Sequence, residues 1–401
     1  MKIALVSPYD YPYPGGVTSH ILHLDEQFTR MGHAVTVLAP SSRDQTELPA
    51  GRVVKLGSVV PVPANGSIAR ITLSLRLSGR VKRLLNQERF DVIHLHEPFM
   101  PALPITVLRH SATVNVATFH SSWDSRVARL YGNPLLRRFN RRLHARIAVS
   151  PRARDFVGAH FEGRYDVIPN GIAIDEFGEG VAPFPHLSDG RLNILFVGRL
   201  EDRKGFRYLL RAYARLKRHL PETRLIVVGA YEEKAKRRYE AFVRSAGIDD
   251  VVFPGAASAE ELPRYYRSCD VFCAPSVGSE SQGIVLLEAM ASGRPIVASD
   301  IAGYRGVMTD GREGLLVPPR DVDALAAGLG RLLRAPELRA RMGAAGSEQA
   351  RQYSWPTIAA RVLDVYEQTR AAYAPRGNVR PRRRVLGRYL RRLSGLFAPI
   401  G

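Results

Sequence analysis

Leu192-Asn193-Ile194-Leu195-Phe196-Val197-Gly198 is the stretch on which the architecture turns. It is a short apolar run closed by glycine, the pattern of a strand buried on both faces. It follows a Gly/Pro-rich connection from Gly178 to Gly190 and restarts a rhythm already heard once. Upstream, Ile3-Ala4-Leu5-Val6 leads through a loop from Pro8 to Gly16 into an amphipathic helix to about Met31, then into a strand at Ala34–Leu38. Further apolar runs stand at Val92–Leu95, Val114–Thr118, Arg146–Val149 and Asp166–Ile168, with helical stretches between them. Downstream the runs are Leu225–Gly229, Val251–Phe253, Val271–Ala274 and Pro295–Ala298. Strand and helix alternating twice over predict an α/β chain of two doubly wound, Rossmann-like domains facing a central cleft. The first is expected over residues 1–180 and the second over 181–370, with a basic tail over 371–401.

The chain has 401 residues, 45% of them hydrophobic and 24% charged, which suits a soluble globular protein of two domains. The opening Met1–Pro8 is too short an apolar run for a signal peptide, and no later run has the length needed to span a bilayer, so a cytoplasmic protein is expected. Cys269 and Cys273 share one apolar run with no second ligand pair near them in sequence, and read as two buried core thiols. The formal charge of +20 calls for a polyanionic partner: nucleic acid, an acidic membrane surface or phosphorylated substrates.

Ligands of doubly wound sheets bind beyond the carboxyl ends of strands, and the informative loops all follow predicted strands. In Ser279-Glu280-Ser281-Gln282-Gly283-Ile284-Val285-Leu286-Leu287-Glu288, a helix starting near Gln282 or Gly283 leaves Glu280 in the loop before it and Glu288 between its first and second turns. Two carboxylates for hydroxyls beside a helix start for phosphate suggest a nucleotide-sugar. Taken alone, the same spacing describes an amphipathic helix with solvated glutamates, so the other loops have to decide. Gly198-Arg199-Leu200-Glu201-Asp202-Arg203-Lys204-Gly205 places Arg199 and Lys204 where a departing diphosphate needs fixed cations. Tyr13-Pro14-Gly15-Gly16-Val17 opens a helix with glycines that let backbone amides approach an anion, or else simply makes a tight turn. Neither the dinucleotide fingerprint nor the Walker pattern occurs, which removes support from redox and ATPase readings.

With Gly15-Gly16, His120, Pro169-Asn170-Gly171, Gly198-Arg199, Arg203-Lys204-Gly205 and Glu280 to Glu288 in order, the chain to about Arg370 resembles the retaining glycosyltransferases of family 4, which have the GT-B fold. Within them it is most similar to the phosphatidyl-myo-inositol mannosyltransferases, through Asn65–Arg70, His94-Leu95-His96-Glu97-Pro98 and Ala117–His120 as well. The resemblance implies that Gly16, Arg199, Lys204, Glu280, Gly283, Ile284 and Glu288 bind the donor. Arg199 and Lys204 would hold the diphosphate, Glu280 the sugar hydroxyls and Glu288 the ribose. Tyr9, Gly15, Arg70 and His120 would lie on the acceptor side, Arg70 near a lipid phosphate, with His120, Arg199, Lys204 and Glu280 as the catalytic set. The implied reaction moves a sugar, mannose from GDP-mannose, to a lipid such as phosphatidyl-myo-inositol at the inner face of the cell membrane. It needs neither cofactor nor metal. The family usually has Phe where Gln282 stands, beside the sugar pocket, and often Asp where Ala173 stands.

The charge is distributed in three stretches. Residues 376–392 hold eight arginines and no acid, with Leu386, Tyr389, Leu390, Leu393, Leu396 and Phe397 forming an apolar stripe, so a membrane-surface helix and a disordered basic tail both remain open. The stretch from Arg70 to Arg83 sets Arg76, Arg80 and Arg83 on one helical face, and Arg137, Arg138, Arg141, Arg142 and Arg146 form the third. Recurrent aromatics among the basic residues are missing, which argues against nucleic acid. Alternatives are a UDP-sugar-dependent transferase acting on another lipid or polysaccharide precursor, and a sugar-nucleotide epimerase, which would act without an acceptor.

Overall fold

The structure is a computed structural model that describes residues 1–13, 15–64, 67–74, 77–120, 131, 133–278 and 280–373. The chain forms two compact units, one of Met1–Pro169 with the chain from Trp355, the other of Asn170–Ser354. The helix Trp355–Ala371 therefore packs in the first unit, against the helix Gly16–Arg30.

The first unit is built on seven parallel strands: β1 (Lys2–Val6), β2 (Ala34–Ala39), β3 (Val53–Lys55), β6 (Val92–His96), β7 (Val114–Phe119), β8 (Ala145–Ala148) and β9 (Asp166–Val167), in the order β3-β2-β1-β6-β7-β8-β9. Between β3 and β6 the chain makes an antiparallel hairpin of β4 (Val60–Ala64) and β5 (Ser67–Ile71). The second unit carries β10 (Leu192–Val197), β11 (Thr223–Val228), β12 (Val251–Gly255), β13 (Val271–Ala274), β14 (Ile296–Ser299) and β15 (Gly314–Val317), in the order β12-β11-β10-β13-β14-β15 and likewise parallel. Both sheets reverse direction of winding once, at β1/β6 and at β10/β13. Loops leaving neighbouring strands there diverge to opposite faces and open a crevice.

Strand alternation explains why the apolar runs lack polar gaps. In the second unit Ile194, Phe196, Leu225, Val227, Val271 and Cys273 join one core cluster, while Leu195, Ile226, Val228, Phe272 and Ala274 join another on the opposite face. Each of these residues is thus buried on one side or the other, as expected for a sheet covered by helices on both faces. Cys269 and Cys273 are buried free thiols, and burial pushes the Cys269 thiol up to about 12. Truncating Phe272, which is fully buried, to alanine would cost about 3–5 kcal/mol.

Two of the basic stretches differ from the sequence reading. Arg70 lies on β5 rather than on a helix, and the helix that follows is Leu77–Glu88. Leu77 and Val81 are buried in it and Leu84 and Leu85 half-buried, with Arg80 and Arg83 exposed; Arg76 lies outside the described residues. Arg137, Arg138 and Arg141 are exposed, but Arg142 donates to the carbonyls of Leu108 and Ser111, and Arg146 to Asn140. Those two guanidiniums tie chain segments together instead of adding to a free basic face. The tail stripe from Leu386 to Phe397 lies outside the described residues.

Candidate active site

Each unit gathers its expected residues at its own switch point. In the second unit Arg199 and Lys204 follow β10, while Glu280, Gly283 and Ile284 follow β13. The two loops touch through their backbones: Val277 donates its N–H to the carbonyl of Arg203 at 2.9 Å. Gly205 makes the approach possible. Its φ is +72°, and a Cβ there would sit 1.9 Å from the carbonyl oxygen of Pro275.

This contact brings the charges together. Lys204 Nζ lies 2.8 Å from Glu280 Oε1, and Arg203 Nη1 lies 3.1 Å from the same oxygen. Arg203 Nε and Arg199 Nη1 pair with the two oxygens of Glu201 at 2.8 and 2.7 Å. Three cations thus face two carboxylates, a locally positive cluster in which a diphosphate can share the donors of Lys204 and Arg203 with Glu280. Arg203 was not singled out by the sequence reading, although it stands in the same motif; its pairing with Glu280 becomes visible only when the two loops meet.

The helix Ile284–Ala291 starts within two residues of the expected place, after Gly283 in the left-handed conformation. Its first-turn N–H groups supply further donors for an anion. Glu288 sits inside it and its Oε2 accepts the phenol of Tyr266 at 2.7 Å. Burial raises the Glu288 pKa, opposed by the Tyr266 hydrogen bond and the charge of Lys204. Gln282 is engaged with Asn170 by three hydrogen bonds. Its Oε1 accepts from the Asn170 backbone N–H and side-chain amide, both at 2.7 Å, and its Nε2 donates to the Asn170 carbonyl at 3.1 Å.

In the first unit Tyr9, Gly15 and Gly16 follow β1. Among the described residues a Cβ at Gly15 or Gly16 would meet nothing within 4 Å, so no neighbouring group in the fold requires glycine there. Arg70 reaches the same loop from β5: its Nε lies 2.8 Å from Oδ2 of buried Asp10, and its guanidinium stacks 4.3 Å over the Tyr13 ring. Burial raises the Tyr9 phenol well above its ordinary pKa, helped by the charge of Glu97.

His120 follows β7 and does not stand alone. Its backbone N–H donates to Glu97 at 2.8 Å, and its Nε2 is 2.9 Å from His96 Nδ1. His94 continues the array, with Nε2 at 2.6 Å from Thr118 Oγ1 and Nδ1 at 2.7 Å from the hydroxyl of Tyr366. His20, from the helix Gly16–Arg30, packs edge-on against His96 and His120. Burial holds His94 and His96 neutral, pushing His94 down to about 3 and His96 well below its ordinary value. The ring nitrogens of His20, His96 and His120 lie within 4.8 Å of one another, a donor set that suits a metal in kind. The 2.9 Å separation and the 29° angle between the planes of His96 and His120 are those of a hydrogen-bonded pair. The motif His94-Leu95-His96-Glu97 carried the signal for this array, since alternate residues of β6 share a face; the contribution of His20 had no signature.

Comparison with known proteins places the chain in a family. The family described as Glycosyltransferase Family 4 matches residues 14–176, and Glycosyl transferases group 1 matches residues 182–349. The chain is 39% identical over 370 residues to a phosphatidyl-myo-inositol mannosyltransferase of Mycobacterium leprae, covering 92% of this chain and 96% of that protein. It is 33% identical over 393 residues to the enzyme of the same name from Propionibacterium freudenreichii, covering 95% and 99%. Among solved structures, sucrose-phosphate synthase from Thermosynechococcus elongatus superposes with a TM-score of 0.72 at 23% identity, over 93% of this chain and 100% of that one. Anabaena HepE, in complex with UDP and glucose, superposes at 0.71 with 19% identity over 92% and 100%. Two parallel doubly wound sheets, a cationic crevice in the second, and relatives aligned over nearly their whole length lead to one conclusion: the chain belongs to glycosyltransferase family 4 and is a glycosyltransferase of GT-B fold.

Proposed function

We propose that this glycosyltransferase moves mannose from GDP-mannose to a lipid acceptor such as phosphatidyl-myo-inositol, at the inner face of the cell membrane, with retention of configuration. The name and near-complete coverage of the mycobacterial and propionibacterial relatives support the substrates. The observation that carries the chemistry is the meeting of Lys204 and Arg203 with Glu280 beside the first turn of Ile284–Ala291.

In this reading the diphosphate lies against Lys204, Arg203, Arg199 and the helix start, which stabilise its growing charge as the glycosidic bond breaks. Glu280 holds sugar hydroxyls and Glu288 the ribose. The leaving diphosphate takes the acceptor's proton on the same face of the sugar, so no covalent intermediate is needed. His120, buried and paired with His96, suits hydrogen bonding to an uncharged hydroxyl, and Arg70 suits a lipid phosphate. None of the described helices is long and apolar enough to cross a membrane, and the exposed Arg80, Lys82 and Arg83 offer a basic surface worth about 1 kcal/mol per residue at an anionic leaflet.

The test is a mass-spectrometric screen of the purified full chain with GDP-mannose, UDP-glucose and UDP-N-acetylglucosamine, each with phosphatidyl-myo-inositol or a total lipid extract. A hexose added to phosphatidyl-myo-inositol from GDP-mannose alone is the expected result. Transfer from a UDP-sugar only would replace the donor, and isomerisation of a nucleotide-sugar without acceptor would replace the reaction. A chain ending at Tyr373 should sediment less with anionic vesicles yet still act on a detergent-dispersed acceptor. Undiminished sedimentation would show that the tail is no anchor.

A further inference from the structure

Ala302–Arg305 is a single helical turn behind the Glu280 loop, and its two central residues meet Glu280 from different directions. A Cβ at Gly303 would lie 2.3 Å from the carbonyl oxygen of Glu280, so the turn is in close contact with the Glu280 backbone. Tyr304, 1% exposed, donates its hydroxyl to Ser276 Oγ at 2.9 Å. Ser276, 2% exposed, donates in turn to Glu280 Oε1 at 3.2 Å. The Tyr304 ring also packs over Gly283, where a Cβ would come within 2.7 Å of it. One side chain thus touches the start of the anion-facing helix and reaches the carboxylate through a single intermediary.

The direction of this chain has a chemical consequence. A serine hydroxyl has one proton, and while its oxygen accepts from Tyr304 that proton is turned toward Glu280. Burial, with the charge of Glu280 adding to it, raises the phenol far above its ordinary pKa, so it keeps donating at any working pH. Lys204 and Arg203 also donate to Oε1, and these are the cations a diphosphate would draw on. When the donor substrate arrives, the neutral hydroxyl pair keeps its hold while the cations are shared.

We propose that Tyr304 is a positioning residue for glycosyl transfer: through Ser276 it orients the Glu280 carboxylate toward the donor sugar. This rests on the reading of Glu280 as the group that grips sugar hydroxyls, and the test separates the two. Tyr304→Phe keeps the ring on Gly283 and removes only the hydroxyl. The expected result is a drop in kcat of about tenfold, the scale of one lost hydrogen bond in a buried site, with affinity for GDP, which lacks the sugar, within about twofold and an unchanged melting curve. Ser276→Ala should lower kcat to the same extent, with a lower melting temperature because it takes the acceptor from the buried Tyr304 hydroxyl, and joining the two should cut kcat no further than the less active single variant, because both cut one path. Glu280→Gln should lose more, and adding Tyr304→Phe to it should change little. Full kcat in Tyr304→Phe, equal loss of GDP binding and transfer, or additive losses with Glu280→Gln would overturn the positioning role alone. Wild-type turnover of Glu280→Gln would overturn the role given to Glu280, and the relay with it.

Discussion

The two switch points hold opposite electrostatics in the same topological place. On and just past β6 and β7, beside the β1/β6 switch, stand buried imidazoles linked ring to ring, with His94 and His96 kept neutral by desolvation. At β10/β13 they are paired charges, three cations on two carboxylates, with a helix start beside them. The fold provides a crevice in both cases and does not choose its chemistry. A neutral crevice suits an uncharged hydroxyl, since a protonated histidine would be a poor acceptor for its proton. A charged one suits a leaving diphosphate, since fixed cations need no reorganisation when charge develops.

Breaking the charged side should have the largest effect. Lys204→Ala is expected to lower turnover about a hundredfold or more, on the order of 3 kcal/mol for a fixed donor to developing charge, without unfolding the chain. Arg199→Ala should cost less, because its side chain is 44% exposed against 16% for Lys204 and pairs with Glu201 rather than Glu280. Steady-state kinetics beside melting curves check both. Wild-type turnover in Lys204→Ala would empty the second crevice of its assigned role.

The neutral side should show itself in acid. Unfolded histidines bind a proton near 6.5, whereas His94 in the fold waits until about 3. Between those values the unfolded state holds the extra proton. The stabilisation is therefore complete above 6.5 and is lost as pH falls toward 3, by about 2 kcal/mol for His94 at pH 5. Hydrogen exchange, corrected for intrinsic rates, should lose protection in β6 and β7 between pH 7 and pH 5 more than in β10 and β13. Equal losses in both sheets would erase the contrast.

Smaller effects sharpen the boundary of the charged crevice. Gln282→Ala removes three buried hydrogen bonds to Asn170, a cost of about 1–3 kcal/mol in stability. Donor preference should stay as it was. A changed sugar preference with an unchanged melting curve would make Gln282 a sugar contact instead. Smallest of all, a chelator should leave turnover of the purified chain as it is; loss of activity, restored by zinc, would turn His20, His96 and His120 from a hydrogen-bonded array into a metal centre.

Much of this was legible in the linear sequence because the deciding signals are local. Apolar runs such as Leu192–Val197 and Val271–Ala274 declare strands buried on both faces, and glycine with clustered charge immediately after them declares the crevices. The start of the helix at Ile284 and the two buried cysteines are local in the same sense. The four strands that went unread, β3, β4, β5 and β15, are short, and β5 carries Arg70 in a pattern that a helix could share.

By itself, then, the sequence determined two doubly wound sheets, the charged and glycine-bearing loops that follow their strands, and the family to which the chain belongs, because each depends on residues near one another along the chain. Only the tertiary structure decided what those residues meet. Arg203 reaches Glu280 across 77 positions, Gln282 reaches Asn170 across 112, and Tyr366 returns from the last helix to His94 across 272. Hydrogen bonds and ion pairs of this kind are fixed by the packing of whole elements, and no local pattern of residues records them.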